Sequence, residues 1–499
     1  MFRLWSKLTG PFRDEKEMQK VMPEDAHLWP EEVQLDMADI EQLVAQNLLV
    51  EIPVEMARGF ARSFTVVEAA KARRRWILHP LAFNIGSEKL IAEISDFVKF
   101  PKPEAIAQQT LSFPLAVCLD FAWFYGHFET STGHYMALLK HNRCFAPTTV
   151  ATGARQPPFF AQLLTQALVT KTLRTTGHGS GDAYIDNVRF LASNQEELAR
   201  ITRTFFALCR TMNITVNEKE EEVLRKIRTD RNGLQQYPFL GMIFDHKANT
   251  VQIGEKTSEK LRAAREKFEF SFRMTWREWQ ALFGLCVFAS QVLHVPRSSR
   301  YWIYKFMRKK AYTCKDDEEV TLWSSAQDLW TNWLEELLAH PPRHITVDNE
   351  IPEAVLVSDA SLTGFGAILF TPSEEFIVAG HWSPEQAKRH INLLELMAVR
   401  IAIGAFPLPP KFRIVVDNTS TVGQLRRGSS CKFRYNAQIA IIHRYLLEQG
   451  ARITDVQYIR SEDNPADFWS RLATCGRSPK EGSLGRWWRR SPHYSVTPS

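Results

Sequence analysis

Residues 354–370 read AVLVSDASLTGFGAILF. Two apolar runs flank a polar, glycine-bearing bend, which is the pattern of two antiparallel strands joined by a short turn. The first run closes on an acid, Asp359. A third run, FIVAGHW (376–382), follows closely and completes a meander. Next, Leu393, Leu394, Met397, Ala398 and Ile401 recur at i, i+1, i+4, i+5 and i+8, one face of a helix that contains Glu395. RIVVDN (413–418) is a fourth strand ending at Asp417, and helical stretches run from there to Gly450. ITDVQYI (453–459) is a fifth strand, and Asn464-Pro465-Ala466-Asp467 opens a last short helix.

A lone acid at a strand end is most often a turn or cap residue. Asp359, Glu395, Asp417 and Asp467 are different because all four fall at element edges in one ordered set. In-line hydrolysis of a phosphodiester needs an activated water and a stabilised leaving oxygen, which two divalent ions about 4 Å apart can supply. Magnesium is a hard cation that takes oxygen ligands, so carboxylates gathered from several elements suit it. The element order, three strands, a helix, a strand, helices, a strand and a helix, resembles the ribonuclease H fold with its four-carboxylate site. The strings VSDASLTGFGAIL, INLLELMAV, VVDNTS and EDNPADFWSR resemble the ribonuclease H motifs of retroelements. That resemblance implies Asp359, Glu395, Asp417 and Asp467 as metal ligands.

Farther upstream, AYIDNVRFLAS (183–193) has the look of a β-hairpin with an acidic tip. It resembles the Tyr-x-Asp-Asp hairpin of reverse transcriptases, with Asn187 in place of the second aspartate. An amide oxygen can still ligate a cation but gives up one negative charge, and Gly-Asp-Asn hairpins of some active viral RNA polymerases make the change tolerable by analogy. LAVCLDFAWFY (115–125) resembles the first catalytic motif of that family. It implies Asp120 as the partner of Asp186 and Tyr125 as the aromatic that crowds the sugar 2′ position. ARRRWILHPLAFN (72–84) resembles the fingers strand, with Arg75 meeting the triphosphate through its planar fork and Lys71 as a second contact. ATGARQPPFFAQ (151–162) resembles the glycine-and-proline motif under the incoming nucleotide, and gives Gly153. Thr152 stands there in place of the Gln or Met of the family pattern. NITVNEK ends at Lys219, matching the lysine that protonates pyrophosphate, and FLGMIFD (239–245) resembles the hairpin that grips the primer end.

The resemblance spans roughly residues 60–475. It is strongest to reverse transcriptases of DIRS-order retrotransposons, and within that order to the VIPER elements of trypanosomatids. It implies an α+β right-hand polymerase (fingers, palm and thumb), then a helical connection and an α/β ribonuclease H-like domain. The corresponding division is an N-terminal extension (1–60), fingers and palm (61–250), thumb and connection (251–345), the ribonuclease H domain (346–475) and a basic tail (476–499). Implied cofactors are Mg2+ or Mn2+, two ions per site. Implied partners are an RNA template, a DNA primer, an RNA–DNA hybrid and deoxynucleoside triphosphates. No Arg…His-x-x-Arg…Tyr recombinase set and no aspartic-protease or integrase motif is present, which places the recombinase and a capsid-type protein on separate chains. Two other readings stand beside this one. The first is an active ribonuclease H with an impaired palm, suggested by Asn187 and by GHGSGD (177–182), whose three glycines are poor strand material. The second is a non-catalytic nucleic-acid scaffold resembling the spliceosomal polymerase-like protein.

Composition agrees with a soluble, multidomain protein. The chain has 499 residues, 44% hydrophobic and 24% charged, which is too long for one ordinary core and too apolar for disorder. Lys and Arg number 62 against 56 Asp and Glu, a net +6 that permits a polyanionic partner without demanding one. Basic residues cluster at KARRR (71–75), RRG (426–428) and RWWRR (486–490). Residues 1–60 read as helical pieces broken by Pro23 and Pro30. The stretch 255–340 reads as mostly helical and rich in Trp, Arg and Lys, and PPRH (341–344) reads as a linker. The 7 cysteines are scattered with no Cys-x-x-Cys pair, which suggests reduced thiols and no zinc knuckle. The longest apolar run, ALFGLCVFASQVL (281–293), is too short to cross a bilayer. The first twenty residues lack a secretory apolar segment, and Asp14, Glu15 and Glu17 argue against a transit peptide. Cytoplasm or nucleus is the expected location, with no membrane partner; nothing in the sequence sets an oligomeric state.

Overall fold

The computed structural model describes residues 9–22, 33–68, 73–95, 97–122, 124–150, 152–346 and 351–471. The chain divides into two compact units, Met1–Val251 and Gln252–Ser499.

The first unit begins with helices Glu15–Val21 and Met37–Ala45, followed by a strand, Leu49–Ile52. That strand pairs antiparallel with Arg143–Pro147, from Leu49↔Pro147 to Ile52↔Cys144. It was not among the helical pieces read over 1–60, because four residues are too few to show a period and the partner lies far away in sequence. Strands β1 (Arg62–Glu68) and β2 (Arg73–His79) form an antiparallel pair. After them come β3 (Leu115–Asp120), α1 (Pro157–Thr176), β4 (Ser180–Tyr184), β5 (Asn187–Ala192), α2 (Gln195–Thr211), α3 (Glu220–Thr229), β6 (Gln236–Phe239) and β7 (Met242–Asp245).

Strands β3, β5 and β4 make a three-stranded antiparallel sheet in that order. Side chains alternate across it. Val117, Leu119, Val188 and Phe190 are buried in a core with Leu168 and Val169 of α1 and Ile201 and Phe205 of α2. The opposite parity puts Cys118, Asp120, Asn187 and Arg189 on the other face. The glycines of GHGSGD do not prevent β4 from forming. Gly177 caps α1 in the left-handed region, at φ 73, as helix ends commonly require. A Cβ on Gly181 would lie 2.9 Å from Val169 Cγ1, so α1 crosses β4 too closely for a side chain there. Gly177 thus ends the helix, and Gly181 records helix-on-strand packing rather than strand weakness. The β6–β7 hairpin turns through Leu240 and Gly241, both at positive φ (50 and 76), the backbone of a tight hairpin turn.

The second unit opens with α4 (Glu255–Phe270), α5 (Trp276–Leu293), α6 (Tyr301–Ala311) and α7 (Ser324–Ala339). Trp279, Trp330 and Trp333 are fully buried among these helices. Trp279 Nε1 donates to Val320 O at 2.9 Å and Trp333 Nε1 to Ser290 Oγ at 2.9 Å, whereas Trp330 Nε1 is buried without a hydrogen-bond partner among the described residues. The tryptophans are core, while Arg308 and Lys309 stay at the surface of α6.

Then come β8 (Ala354–Ala360), β9 (Gly364–Phe370), β10 (Glu375–His381), α8 (Ile391–Ala405), β11 (Lys411–Val416), α9 (Thr419–Arg427), α10 (Phe433–Glu448), β12 (Arg452–Tyr458) and the single turn α11 (Asp467–Ser470). The sheet order is β10-β9-β8-β11-β12. β8, β9 and β10 are antiparallel neighbours, whereas β11 runs parallel to both β8 and β12. This strand order and direction is the α/β arrangement expected of a ribonuclease H-like domain, and it follows the antiparallel sheet β3-β5-β4 in the chain. Among the described residues, no helix is long and apolar enough to cross a membrane.

Candidate active sites

In the second unit, β8 and β11 are adjacent and parallel with Ser358 opposite Val416. Asp359 and Asp417, the next residue on each, therefore emerge side by side at the carboxyl ends of the two strands, where open α/β sheets gather ligands. Glu395 reaches the same point from α8, which packs along β8. One ligand oxygen from each of Asp359, Glu395 and Asp417 lies within 4.8 Å of the others. Asp467 stands outside that set, held by Arg471 at 2.7 Å, yet its charge is felt by both Asp359 and Glu395.

Packing explains how α11 arrives there. Gly366 lies opposite Asp359 on β9. A Cβ on Gly366 would fall 2.5 Å from Trp469 Cβ and 2.6 Å from Ser470 N, so only glycine lets α11 lie across the strand. Asn464 ties the turn down, donating through Nδ2 to Ser358 O at 3.2 Å and accepting from Ala466 N at 3.0 Å. The buried Ser470 hydroxyl then bonds Asp359 Oδ2. On the other side Asn418 caps α9, accepting from Thr421 N at 2.9 Å, and donates to Asn392 Oδ1 at 3.0 Å. Sequence reading missed Ser470, Asn464 and Asn392. The first two sit in the NPADFWS string, where a serine three residues after an acid was the available signal.

The electrostatics of this cluster are unfavourable as it stands. Burial pushes the Glu395 carboxyl up to about 9, with the charges of Asp359 and Asp417 adding to the rise and the Ala360 N–H opposing it. Burial likewise pushes Asp359 up to about 6, opposed by the Ser470 hydroxyl and reinforced by Asp417 and Asp467. Glu395 Oε2 and Asp417 Oδ1 are buried without a hydrogen-bond partner among the described residues. Buried acceptors facing like charges are costly unless something positive joins them. The donor set, all carboxylate oxygen, fits a hard divalent cation.

The palm-type sheet of the first unit has different geometry. Asp120 and Asn187 are direct cross-strand partners on β3 and β5. Asp186 occupies the two-residue turn between β4 and β5, and its carbonyl accepts from Phe121 N at 2.9 Å. Its neighbour Ile185 has φ 56, which a β-branched residue adopts only under strain, of order 1–3 kcal/mol. Gln162 of α1 holds the turn from beneath: its Oε1 accepts from Ile185 N at 2.7 Å and its Nε2 donates to Ala183 O at 2.8 Å. Thr165 adds a bond to the Ile185 carbonyl.

Each palm acid also has an amide partner. Asn217 Nδ2 donates to Asp120 Oδ2 at 2.8 Å, and Asn187 Nδ2 donates to Asp186 Oδ1 at 2.9 Å. Glu218, not singled out from the sequence, accepts from Asp120 N at 3.1 Å and lines a cleft with Asp120, Asn187 and the β6–β7 turn. Lys219 heads α3, is 81% exposed at its side chain and pairs with Glu222 at 3.5 Å. Tyr125 is half-buried in the short turn Phe124–His127, its ring 6.3 Å from that of Phe124. Gly153 N donates to Leu78 O at 2.8 Å, and a Cβ there would lie 2.5 Å from that oxygen, so the loop docks on β2 only through glycine. Asn84 completes the dock, donating to Gly153 O at 3.0 Å and accepting from Arg155 N at 2.9 Å. Arg75 lies on β2 in register with Val66, and Lys71 falls outside the described residues.

No protein-family model and no curated protein matches the chain. Among solved structures it is similar to the foamy viral protease-reverse transcriptase dRH in complex with double-stranded DNA, at 14% identity and TM-score 0.47, over 87% of this chain and 72% of that one. It is similar also to the foamy viral protease-reverse transcriptase in complex with an RNA/DNA hybrid, at 12% identity and TM-score 0.47, over 87% of this chain. The chain spans only 55% of the length of that second structure.

Proposed function

We propose that the protein is an RNA-directed DNA polymerase with an associated ribonuclease H, copying retrotransposon RNA into DNA and degrading the RNA strand of the hybrid. The observation that carries this reading is the convergence of Asp359, Glu395 and Asp417, buried and electrostatically incomplete, in a chain that also pairs Asp120 with an Asp186–Asn187 hairpin. Asp359, Glu395 and Asp417 would hold the nuclease cations, with Asp467 completing the negative field. Asp120 and Asp186 would hold those of the palm. Mg2+ or Mn2+ in these places supplies charge neutralisation of phosphate oxygens and acidification of a bound hydroxyl or water. Ser470 keeps Asp359 oriented, and Gln162 and Thr165 keep the strained hairpin tip presented.

Template and primer make the polyanionic partner, bound through backbone contacts that weaken steeply with salt. Discrimination of the cut strand requires its 2′-hydroxyl. Arg75, Lys71 and Gly153 are assigned to the incoming deoxynucleoside triphosphate, Tyr125 to its sugar and Lys219 to the departing pyrophosphate. The motif strings support a DIRS-order element of the VIPER type, acting in the cytoplasm or nucleus. A second reading is favoured by one specific feature: Asn187 replaces a carboxylate, and its amide occupies Asp186 Oδ1. In that reading the nuclease is active and the palm is impaired. Primer extension on a homopolymer RNA template, run beside hybrid cleavage on one preparation, decides between them. Cleavage without extension selects the second reading, and neither activity refutes both.

A further inference from the structure

We infer that Arg189 is a positioning residue of the polymerase cleft, a buried tie that fixes the β6–β7 turn against the sheet carrying Asp120 and Asn187. The inference rests on the polymerase reading above and names what holds the primer side of that cleft in place.

Arg189 is fully buried. It lies two residues beyond Asn187 on the same face of β5 and directly opposite Asp182 of β4. Its Nε donates to Asp182 Oδ2 at 2.7 Å, and Nη2 bonds the same oxygen. Nη2 also donates to Ile106 O at 2.6 Å, and Nη1 to the Tyr237 hydroxyl at 3.1 Å. That hydroxyl is in turn 2.8 Å from His246 Nε2, whose Nδ1 is 2.5 Å from Phe113 O. The guanidinium also sits over the rings of Phe244 (4.9 Å) and Phe239 (5.4 Å). Asp182 is completed by Gln109 Nε2 at 2.8 Å.

One side chain thus joins the metal-hairpin sheet, the helix Pro103–Gln109 and both strands of the β6–β7 hairpin. Phe239, Leu240 and Gly241 of that hairpin line the same cleft as Asp120 and Asn187. Stability alone does not require such a pair, because apolar side chains of similar volume fill buried ion-pair sites as well or better. A planar fork with fixed donor directions adds something an apolar filling lacks, a set distance and orientation between the elements it joins. Here the elements joined are the sheet and the hairpin that both line the cleft.

The test uses two variants of the full chain. Asp182→Leu/Arg189→Met removes both charges together, so that no lone buried charge is left to unfold the protein. Tyr237→Phe keeps the ring and deletes only the hydroxyl link between Arg189 and His246. Amide hydrogen exchange at 239–242 reads the turn directly, and extension kinetics separate kcat from KM for the nucleotide. In the double variant, turn amides should exchange roughly tenfold faster while the β8–β12 sheet is unchanged. Extension kcat should fall roughly 10–100-fold, as it does when a supporting contact is removed, with hybrid cleavage unaltered. Tyr237→Phe should shift both in the same direction by less, and it carries the test if the double variant does not fold. Unchanged turn exchange in a folded variant overturns the inference. A wild-type protein that never extends primers refutes the polymerase reading instead, while the exchange comparison still decides whether Arg189 ties the turn.

Discussion

The two acidic sites of this chain hold negative charge in opposite ways. In the palm-type sheet, Asp120 and Asp186 each accept from a neighbouring asparagine amide, from Asn217 and Asn187. In the carboxylate cluster of β8, α8 and β11, Glu395 Oε2 and Asp417 Oδ1 are buried without such a donor among the described residues, and Glu395 is pushed up to about 9. The palm acids each keep one neutral amide donor, which orients the carboxylate without cancelling its charge. In the cluster, burial and neighbouring acids disfavour the ionised forms of Glu395 and Asp359, so an entering cation competes with protons there. Cation binding should therefore depend more steeply on pH, strengthening as pH rises, at the cluster than in the palm.

The sharpest way to break that contrast is to disable each site separately. Asp359→Asn or Asp417→Asn should lower hybrid cleavage by roughly 10²–10³-fold or more, the scale of losing a preorganised electrostatic partner, and leave primer extension intact. Asp186→Ala should do the reverse. Parallel loss of both activities in either variant would mean that the sites are not independent.

A smaller effect is expected at Ser470. Its hydroxyl orients Asp359 without offering a charge. Ser470→Ala should weaken cation binding and cleavage by roughly 10–100-fold, the usual cost of removing a partner behind a metal ligand. Calorimetric titration with Mg2+ checks this independently of turnover.

The pH dependence follows from the raised carboxyls. A group whose folded pKa lies above its unfolded value stabilises the fold fully below the unfolded pKa and loses that contribution as pH rises through the folded one. For Glu395 the window runs from its ordinary value near 4.5 up to about 9. Cation-free protein should thus lose several degrees of Tm between pH 5 and pH 9, and saturating Mg2+ should recover much of it. Glu395→Gln should flatten the profile. A Tm that rises with pH in cation-free buffer would contradict the burial of these acids.

The smallest effect expected is at the palm tip. Asn187→Asp restores a charge and frees Asp186 Oδ1, so the Mg2+ concentration for half-maximal extension should fall several-fold. No change would remove position 187 from the set of metal ligands.

The carboxylate cluster was legible in the sequence because Asp359 and Asp417 sit at strand ends and Glu395 lies within a helix, and periodicity marks those elements. Asp359 and Asp417 could be placed from strand patterns alone, and Glu395 from a helical stripe. What supports them was not legible. Gly366 is required by the passage of α11 across β9, and Ser470 acts on a residue more than a hundred positions away. The palm shows the same limit. GHGSGD read as weak strand because local propensity ignores the helix that crosses it, and Val169 shows why glycine belongs there. Gln162, Glu218 and Arg189 gain meaning only when tertiary packing brings α1, the 213–219 segment and the β6–β7 hairpin to the sheet.

The central claim, that buried convergent carboxylates make this chain a divalent-cation nuclease of RNA in hybrids, is tested most directly by cleavage of an RNA–DNA hybrid by the purified protein. The prediction is Mg2+- or Mn2+-dependent cutting of the RNA strand only, absent with EDTA, absent on duplex DNA and lost in Asp417→Asn. Cleavage that persists in Asp417→Asn, or no cleavage by wild-type protein with either cation, would contradict it.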